Sequence, residues 1–354
     1  MTEPTVDVII PIHTALRPIS RAVASVLTGT TADVRVRVIC HDVAIASIGA
    51  ALGSWEGDER VHLTEHRDGV PSPAGPLNRG YAEATAEFTT LLDSDDEYEP
   101  GAIDAWLSVQ QRDDADVVIQ PLRHANGAST RTPPTRPFRR RRLDGVRDRL
   151  AYRTRQHGLV RRSRFPDLRM TPGVRTGEDV IQGVHLWYSG ARISFAKGTP
   201  AYVIHADQPE RASVSPKSAA VSLEFLDAIA GDGAAAWLTE AQREALAIKI
   251  LRTHVMDVLA ASLKAGNYPG DKGALGEAVQ RLTTMAPRAM SIMSRQEVRV
   301  LRALRDGTDQ VVLKRELARA TDFHRPASVM SSSLRHILHR EAMPRFLAAV
   351  ALTP

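Results

Sequence analysis

The run Val6 to Ile12, VDVIIPI, is apolar or β-branched at almost every position. That is the pattern of a strand buried on both faces, and few architectures house one so near the start of a chain. Similar runs recur at Val34–Cys40, Val61–Thr64, Phe88–Leu92 and Asp116–Leu122. Between them lie a helical stretch from Ser20 to Leu27 that breaks at Gly29, a Pro- and Gly-rich loop at Pro71–Pro76, and a short helix over Leu77–Ala86. Strands alternating with helices predict an open α/β sheet with right-handed crossovers. The 354 residues suffice for two domains. A single cysteine, Cys40, leaves no internal disulfide and no cysteine cluster for zinc or iron–sulfur chemistry. No apolar run approaches the ~20 residues of a transmembrane helix. The opening MTEPTVDVIIPIH carries acidic residues and enters strand pattern at once, which is not the form of a signal peptide. The expected compartment is reducing and cytoplasmic.

From Asn126 to Pro137 the pattern dissolves, and Arg136 to Arg164 is densely basic. Strand-like stretches return at Ala191–Ala196 and Ala201–His205. After Lys217 every segment has helical period, with capping boxes at Thr239/Gln242 and Ser294/Glu297 and an apolar stripe through Leu246, Ile250, Val255, Val258 and Leu259. The expected division is therefore 1–216 for the sheet domain and 217–354 for a helical one. Net charge is +5, and all but six of the 46 basic residues are arginine. Codon usage accounts for much of such a bias. The remainder suggests an anionic partner: a nucleotide, a phosphate-bearing polymer or a lipid surface.

The stretch most informative about chemistry is FTTLLDSDDEYEPGAI, Phe88 to Ile103. A buried strand runs into Asp93-Ser94-Asp95-Asp96, placing three carboxylates at its carboxyl end, the edge where open parallel sheets bind ligands. Like charges so close need a cation or hydrogen-bond donors, and hard oxygens suit Mg²⁺ or Mn²⁺. An acidic turn after a strand is the plain alternative. An EF-hand is excluded by Tyr98 where its glycine belongs. A Mg-dependent phosphatase using Asp93 and Asp95 remains a hydrolase alternative. A second acidic site, Glu178-Asp179, follows Gly177 and leads into a helical pattern. Neighbouring residues do not face the same way, so one of the two points into a site and the other does something else.

Together these segments resemble the family 2 nucleotide-sugar glycosyltransferases of GT-A fold, over about residues 6 to 215. The resemblance rests on Val8-Ile9-Ile10-Pro11, Asn78-Arg79-Gly80, Leu92 to Asp96 followed by Pro100-Gly101, and Glu178-Asp179, all in the family's order. It implies a Rossmann-like, mainly parallel mixed sheet with flanking helices, joined here to an all-helical C-terminal region. It also implies an inverting, metal-dependent transfer of sugar from a nucleotide diphosphate donor, by default a UDP-sugar. Asp95 is then the ligand of Mn²⁺ or Mg²⁺, with His205 completing the shell. Asp93 and Ser94 contact the donor, as do Pro11, Asp42, Asn78 and Arg79. Asp179 is the general base and Glu178 its support or an acceptor contact. Two departures stand out: His41-Asp42 runs into Val43-Ala44 instead of a Gly-Ser turn, and Leu77 replaces the arginine usual before the Asn-x-Gly.

The basic stretch lies between the two acidic motifs, where the family's acceptor cleft is flanked. Arg123 and Arg162 are the candidates for holding a phosphate-bearing acceptor, such as a glycan, a teichoic-acid-like polymer or a lipid-linked species. Nucleic acid fits poorly, because no recognition module accompanies the charge. A non-catalytic module that binds an anionic polymer on a degenerate transferase scaffold is the second class of reading. Near the end, Leu334, Ile337, Leu338, Phe346, Leu347 and Val350 form an apolar stripe that Pro344 is expected to interrupt. Packing on neighbouring helices is the first expectation, with homo-oligomer contacts or peripheral membrane contact at the inner face as further uses.

Overall fold

A computed structural model describes residues 3–155, 158–207, 217–231 and 234–353. The expected boundary at 216/217 falls at the edge of 208–216, outside the described residues. The main sheet has seven strands: β1 (Val6–Ile12), β2 (Val34–His41), β3 (Val61–His66), β4 (Phe88–Leu91), β6 (Val117–Ile119), β9 (Leu159–Arg161) and β10 (Ile193–Phe195). Their order across it is β10-β6-β9-β4-β1-β2-β3. β1 pairs in parallel with both β2 and β4, while β9 runs antiparallel between β4 and β6. A smaller sheet stacks β5 (Glu97–Tyr98), β11 (Tyr202–Ile204), β7 (Leu122–His124) and β8 (Ser129–Thr130) in that order.

The double burial read from Val6–Ile12 has its cause in the layers around it. α1 (Ile19–Leu27) covers one face with Ile19, Val23 and Val26, and α3 (Ala74–Glu83) covers the other with Ala74 and Leu77 against Ile9 and Ile39. α4 (Ala102–Asp113) adds Ile103 and Trp106 to the cluster beneath α1. Gly80 lets α3 lie directly on β1, since a Cβ there would collide with Ile9. A charge at the sheet's heart fixes the register. Asp7 is 0% exposed and accepts from Arg35 Nε at 2.7 Å, Arg37 Nε at 2.9 Å, Thr85 N at 2.8 Å and Ala86 N at 3.0 Å. Burial works against that charge, but these donors outweigh it and hold the carboxyl below its ordinary range.

Several boundaries differ from expectation. The fifth strand is two: β6 ends at Ile119, and the chain resumes after Gln120-Pro121 as β7 in the other sheet, because proline cannot continue the ladder. The basic run contributes β9, an inner strand of the main sheet, where Leu159 and Val160 are buried and Arg161 lies 4.8 Å over the Phe88 ring. α2 (Ile45–Leu52) fills a stretch whose sequence pattern is indistinct, and α3 begins at Ala74, inside the expected loop. Pro344 starts a helix, Met343–Ala351, instead of interrupting one, since a helix's first turn needs no N–H from it.

After residue 217 the described residues are mainly helical, led by Glu240–Ile250, Met256–Ala265, Tyr268–Met285, Arg295–Arg305 and Gln310–Ala320. Both capping boxes form. The helices share one apolar core with β6, β10 and α5 (Glu178–Tyr188), through Val180, Val184 and Trp187 on one side and Leu246, Ile250 and Leu251 on the other. No helix among the described residues is long and apolar enough to cross a membrane.

Candidate active site

Register places the carboxyl ends of β1, β2, β3 and β4 on one edge, so Pro11, His41-Asp42, His66 and Asp93 line a common rim. At the end of β4, Ser94, Asp95 and Asp96 are buried and Asp93 is half-buried. The three carboxylates point to different partners. Asp95 pairs with Arg17, from the loop after β1, and Arg21 of α1 donates to the Asp95 carbonyl. Asp93 pairs with Arg155. Asp96 faces the smaller sheet, accepting from the Tyr202 hydroxyl at 2.7 Å and from His205 N at 2.8 Å. Burial, with Asp93 and Asp95 as neighbours, pushes the Asp96 carboxyl up to about 7 despite those donors.

Arg155 joins the two acidic motifs. Its guanidinium meets Asp93, while its backbone N–H donates to Asp179 Oδ2 at 2.9 Å. Burial opposes its charge, but Asp93 and Glu178 outweigh that and raise its already high pKa. Glu178 and Asp179 open α5 directly after Gly177, whose φ of 72° is left-handed and whose missing side chain makes room for the Phe225 ring. Glu178 is buried. Burial and the adjacent Asp179 push its carboxyl up to about 7, Arg155 pulls the other way, and Asp93 adds to the rise. Asn78 holds the preceding loop by a two-bond clamp, Nδ2 to Met170 O at 3.1 Å and Met170 N to Oδ1 at 2.7 Å.

The structure thus brings Asp93, Ser94, Asp95, Glu178 and Asp179 to one region, with Asn78 supporting it. It does not bring all the expected residues there. Arg79 points to Glu83 on the exposed face of α3, at 2.6 Å. Arg162 sits at the opposite, amino end of β4, donating to Ala86 O at 2.9 Å and Thr85 O at 2.8 Å. Arg123 lies in the smaller sheet, paired with Glu99. His205 Nε2 faces Glu97 Oε1 at 3.0 Å. Asp42 adopts a φ of 52° and accepts from Gly69 N at 3.1 Å. Sequence reasoning singles out neither Arg17 nor Arg21, and meets Arg155 only as one residue of the basic run. All three lie outside any motif, in loops and a helix that only the fold turns inward.

The oxygen donors at the end of β4 suit a hard divalent cation. Burial is the first cause that raises the Asp96 carboxyl to about 7, and the charges of Asp93 and Asp95 add to it, a repulsion that a cation beside them would offset. Among the described residues, it is not the carboxylates after β4 but His41, Asp42 and Asp68, at the β2 and β3 ends, that place three possible ligand atoms within 4.8 Å of one another. There both His41 and His66 hydrogen-bond Asp68, at 2.8 and 3.0 Å. Burial opposes the Asp68 charge, but these two and Val70 N overcome it and bring the carboxyl down to about 2.

The crystal structure of S. aureus TarS 1-349 in complex with UDP-GlcNAc superposes with a TM-score of 0.73 at 18% identity, covering 91% of this chain and 93% of that one. The TarS 1-349 complex with UDP gives 0.71 at 17% identity and the same coverage. Against the longer S. aureus TarS chain the score is 0.68 at 16% identity, over 89% of this chain and 55% of that one, so this chain spans about half of it. No curated protein matches by sequence. Likeness at these identities is one of fold, the GT-A fold, and it extends into the helical region. The family model described as Glycosyl transferase family 2 matches residues 7–169, and this segment of the chain is a domain of that family.

Proposed function

We propose that the chain moves a sugar from a nucleotide diphosphate donor, a UDP-sugar, to a hydroxyl of a glycan, polymer or lipid-linked acceptor, with inversion at the anomeric carbon. One observation carries this reading. Two acidic motifs far apart in sequence meet at the carboxyl edge of β4, joined by Arg155, which pairs with Asp93 and also donates to Asp179. The UDP and UDP-GlcNAc complexes of the structurally similar TarS support the choice of donor.

In this reading Asp95 would hold Mg²⁺ or Mn²⁺ in place of its pairing with Arg17, and His205 would join it only by leaving Glu97. A bound cation would supply positive charge to the diphosphate as it departs. Asp93 contacts the ribose or sugar side of the donor, and Pro11 and Asp42 border the nucleotide. Asp179 takes the proton from the acceptor hydroxyl as its oxygen bonds to the anomeric carbon. The carbon–oxygen bond to phosphate breaks on the opposite face, and its electron pair leaves with the nucleotide diphosphate. Asp179 suits the role because it stands at the amino end of α5, where the helix dipole favours an anion. Glu178, beside Arg155, supports it. Arginines across the molecule's surface suit a phosphate-bearing acceptor.

Release of UDP from a panel of UDP-sugars, with Mn²⁺ and with EDTA, tests this reading. Turnover that needs the cation and vanishes in Asp179→Asn supports it. Donor binding without any turnover, in wild type and variant alike, would favour the non-catalytic binding module.

A further inference from the structure

Asp179 is met from its far side by the C-terminal region. α5 and the helix Glu240–Ile250 enclose a small cavity lined by Asp179 and Lys249, with Val180, Val184, Trp187 and Leu246 as apolar wall. Its space of about 10 Å³ is the room of one water. Lys249 is 3% exposed, so its ammonium has no bulk solvent to charge against. Its Nζ lies 2.8 Å from His254 Nε2. That contact exists because the helix widens into a π turn over Leu251–Val255, a feature that concentrates at functional sites. Two such groups cannot both be charged at that distance. Burial and Lys249 hold His254 well below its ordinary value, so it accepts. Burial lowers Lys249 to about 8, against Asp179 and Asp257, and it stays the donor and the cation at neutral pH.

Other parts of the helical region grip the same place. The Phe225 ring stands edge-on to His254, with centroids 5.1 Å apart, and fills the space beside Gly177. Thr176 Oγ1 donates to Val221 O at 3.2 Å, and Arg175 N donates to Glu224. The charged groups around Asp179 are then Arg155 on the sheet side and Glu178 beside it on α5, with Arg153 and Lys249 around the cavity. Arg153 gives only its Nη2 to the carbonyls of Gln120 and Thr132, at 2.7 and 2.8 Å, and its Nε and Nη1 are buried without a hydrogen-bond partner among the described residues.

We propose that Lys249 is a positioning residue for Asp179: its ammonium, held by His254, acts on that carboxylate across the one-water cavity the two side chains share and fixes its direction from within the helical region. This rests on Asp179 being the base of the proposed transfer. Lys249→Met keeps the length and removes the charge. We expect its kcat to fall roughly ten- to a hundredfold, the cost of a misaimed reacting group, with KM for the donor within about twofold. The acid limb of its kcat profile should move to higher pH. His254→Leu should move the same readouts less, and His254→Gln, which keeps an acceptor, should restore them. If Lys249→Met does not fold, this His254 pair carries the test.

Thermal unfolding separates the coupling from the chemistry. Lys249→Met should lower Tm in the wild-type background, where it removes the cation across the cavity from Asp179, and not in Asp179→Asn. That pattern without turnover in any variant would uphold the coupling and sink the transferase reading. An unchanged kcat and pH profile, or an equal loss of Tm in both backgrounds, overturns the proposal.

Discussion

Replacing Glu178 with glutamine removes a negative charge from a place where the fold holds it at a cost. Its carboxyl is raised to about 7 from an ordinary 4.5, by burial first and then by Asp179 and Asp93, with Arg155 opposing. In the unfolded chain those influences vanish. Between pH 4.5 and 7 the folded chain therefore binds the proton more tightly than the unfolded one, and stability falls as pH rises through that window. At roughly 1.4 kcal/mol per pH unit, the gap amounts to about 3 kcal/mol above pH 7, shared with the adjacent Asp179. Glu178→Gln should then be more stable than wild type by up to about 3 kcal/mol at pH 8, roughly 4 °C in Tm for a chain of this length, and equal to it near pH 4.5. Sugar transfer should fall in the same variant, a trade of function against stability. Circular dichroism melts of both proteins at the two pH values read this out. A Glu178→Gln variant that melts lower than wild type at pH 8, or whose difference from it ignores pH, would show the buried charge to be no burden on the fold.

Three other perturbations follow from the same geometry. Asp179→Asn keeps an acceptor for Arg155 N but cannot take a proton, so kcat should drop by about 10²–10⁴ while calorimetry shows UDP affinity within about twofold. Asn78→Ala frees the Met170 loop that leads to Glu178, so kcat should fall more than donor affinity, at a cost of roughly 1–3 kcal/mol in urea melts. Asp7→Ala strands Arg35 and Arg37 in the sheet and should cost about 3–5 kcal/mol. Because its folded carboxyl lies below the ordinary range, Asp7 stabilises the wild type above about pH 4 and loses that contribution as pH falls through the folded value, so the variant's deficit should shrink in acid.

The sheet was legible where burial on both faces wrote itself into composition: Val6–Ile12 and Val34–Cys40 needed no context. β9 was not, because an arginine-rich stretch hides a three-residue strand whose inner position depends on Leu159 and Val160 alone. The break at Pro121 was visible as a proline, but that it moves the chain to a second sheet is a property of β11 pairing with β7. Asp93, Asp95, Glu178 and Asp179 could be nominated from motif and spacing. Their partners could not, since Arg17 and Arg155 come from two separate segments and acquire a role only by meeting a carboxylate. Arg162 shows the converse: a basic residue in the right stretch of sequence that the fold turns to the far end of β4.

Whether the donor's diphosphate and its cation sit at the end of β4, on Asp95, decides the rest. Calorimetry of UDP with and without Mn²⁺, on wild type and Asp95→Asn, puts that to the test. Binding to the wild type should require Mn²⁺ and should be lost in the variant. UDP binding of equal strength in both proteins, indifferent to Mn²⁺, would mean that the nucleotide and its cation are held somewhere else.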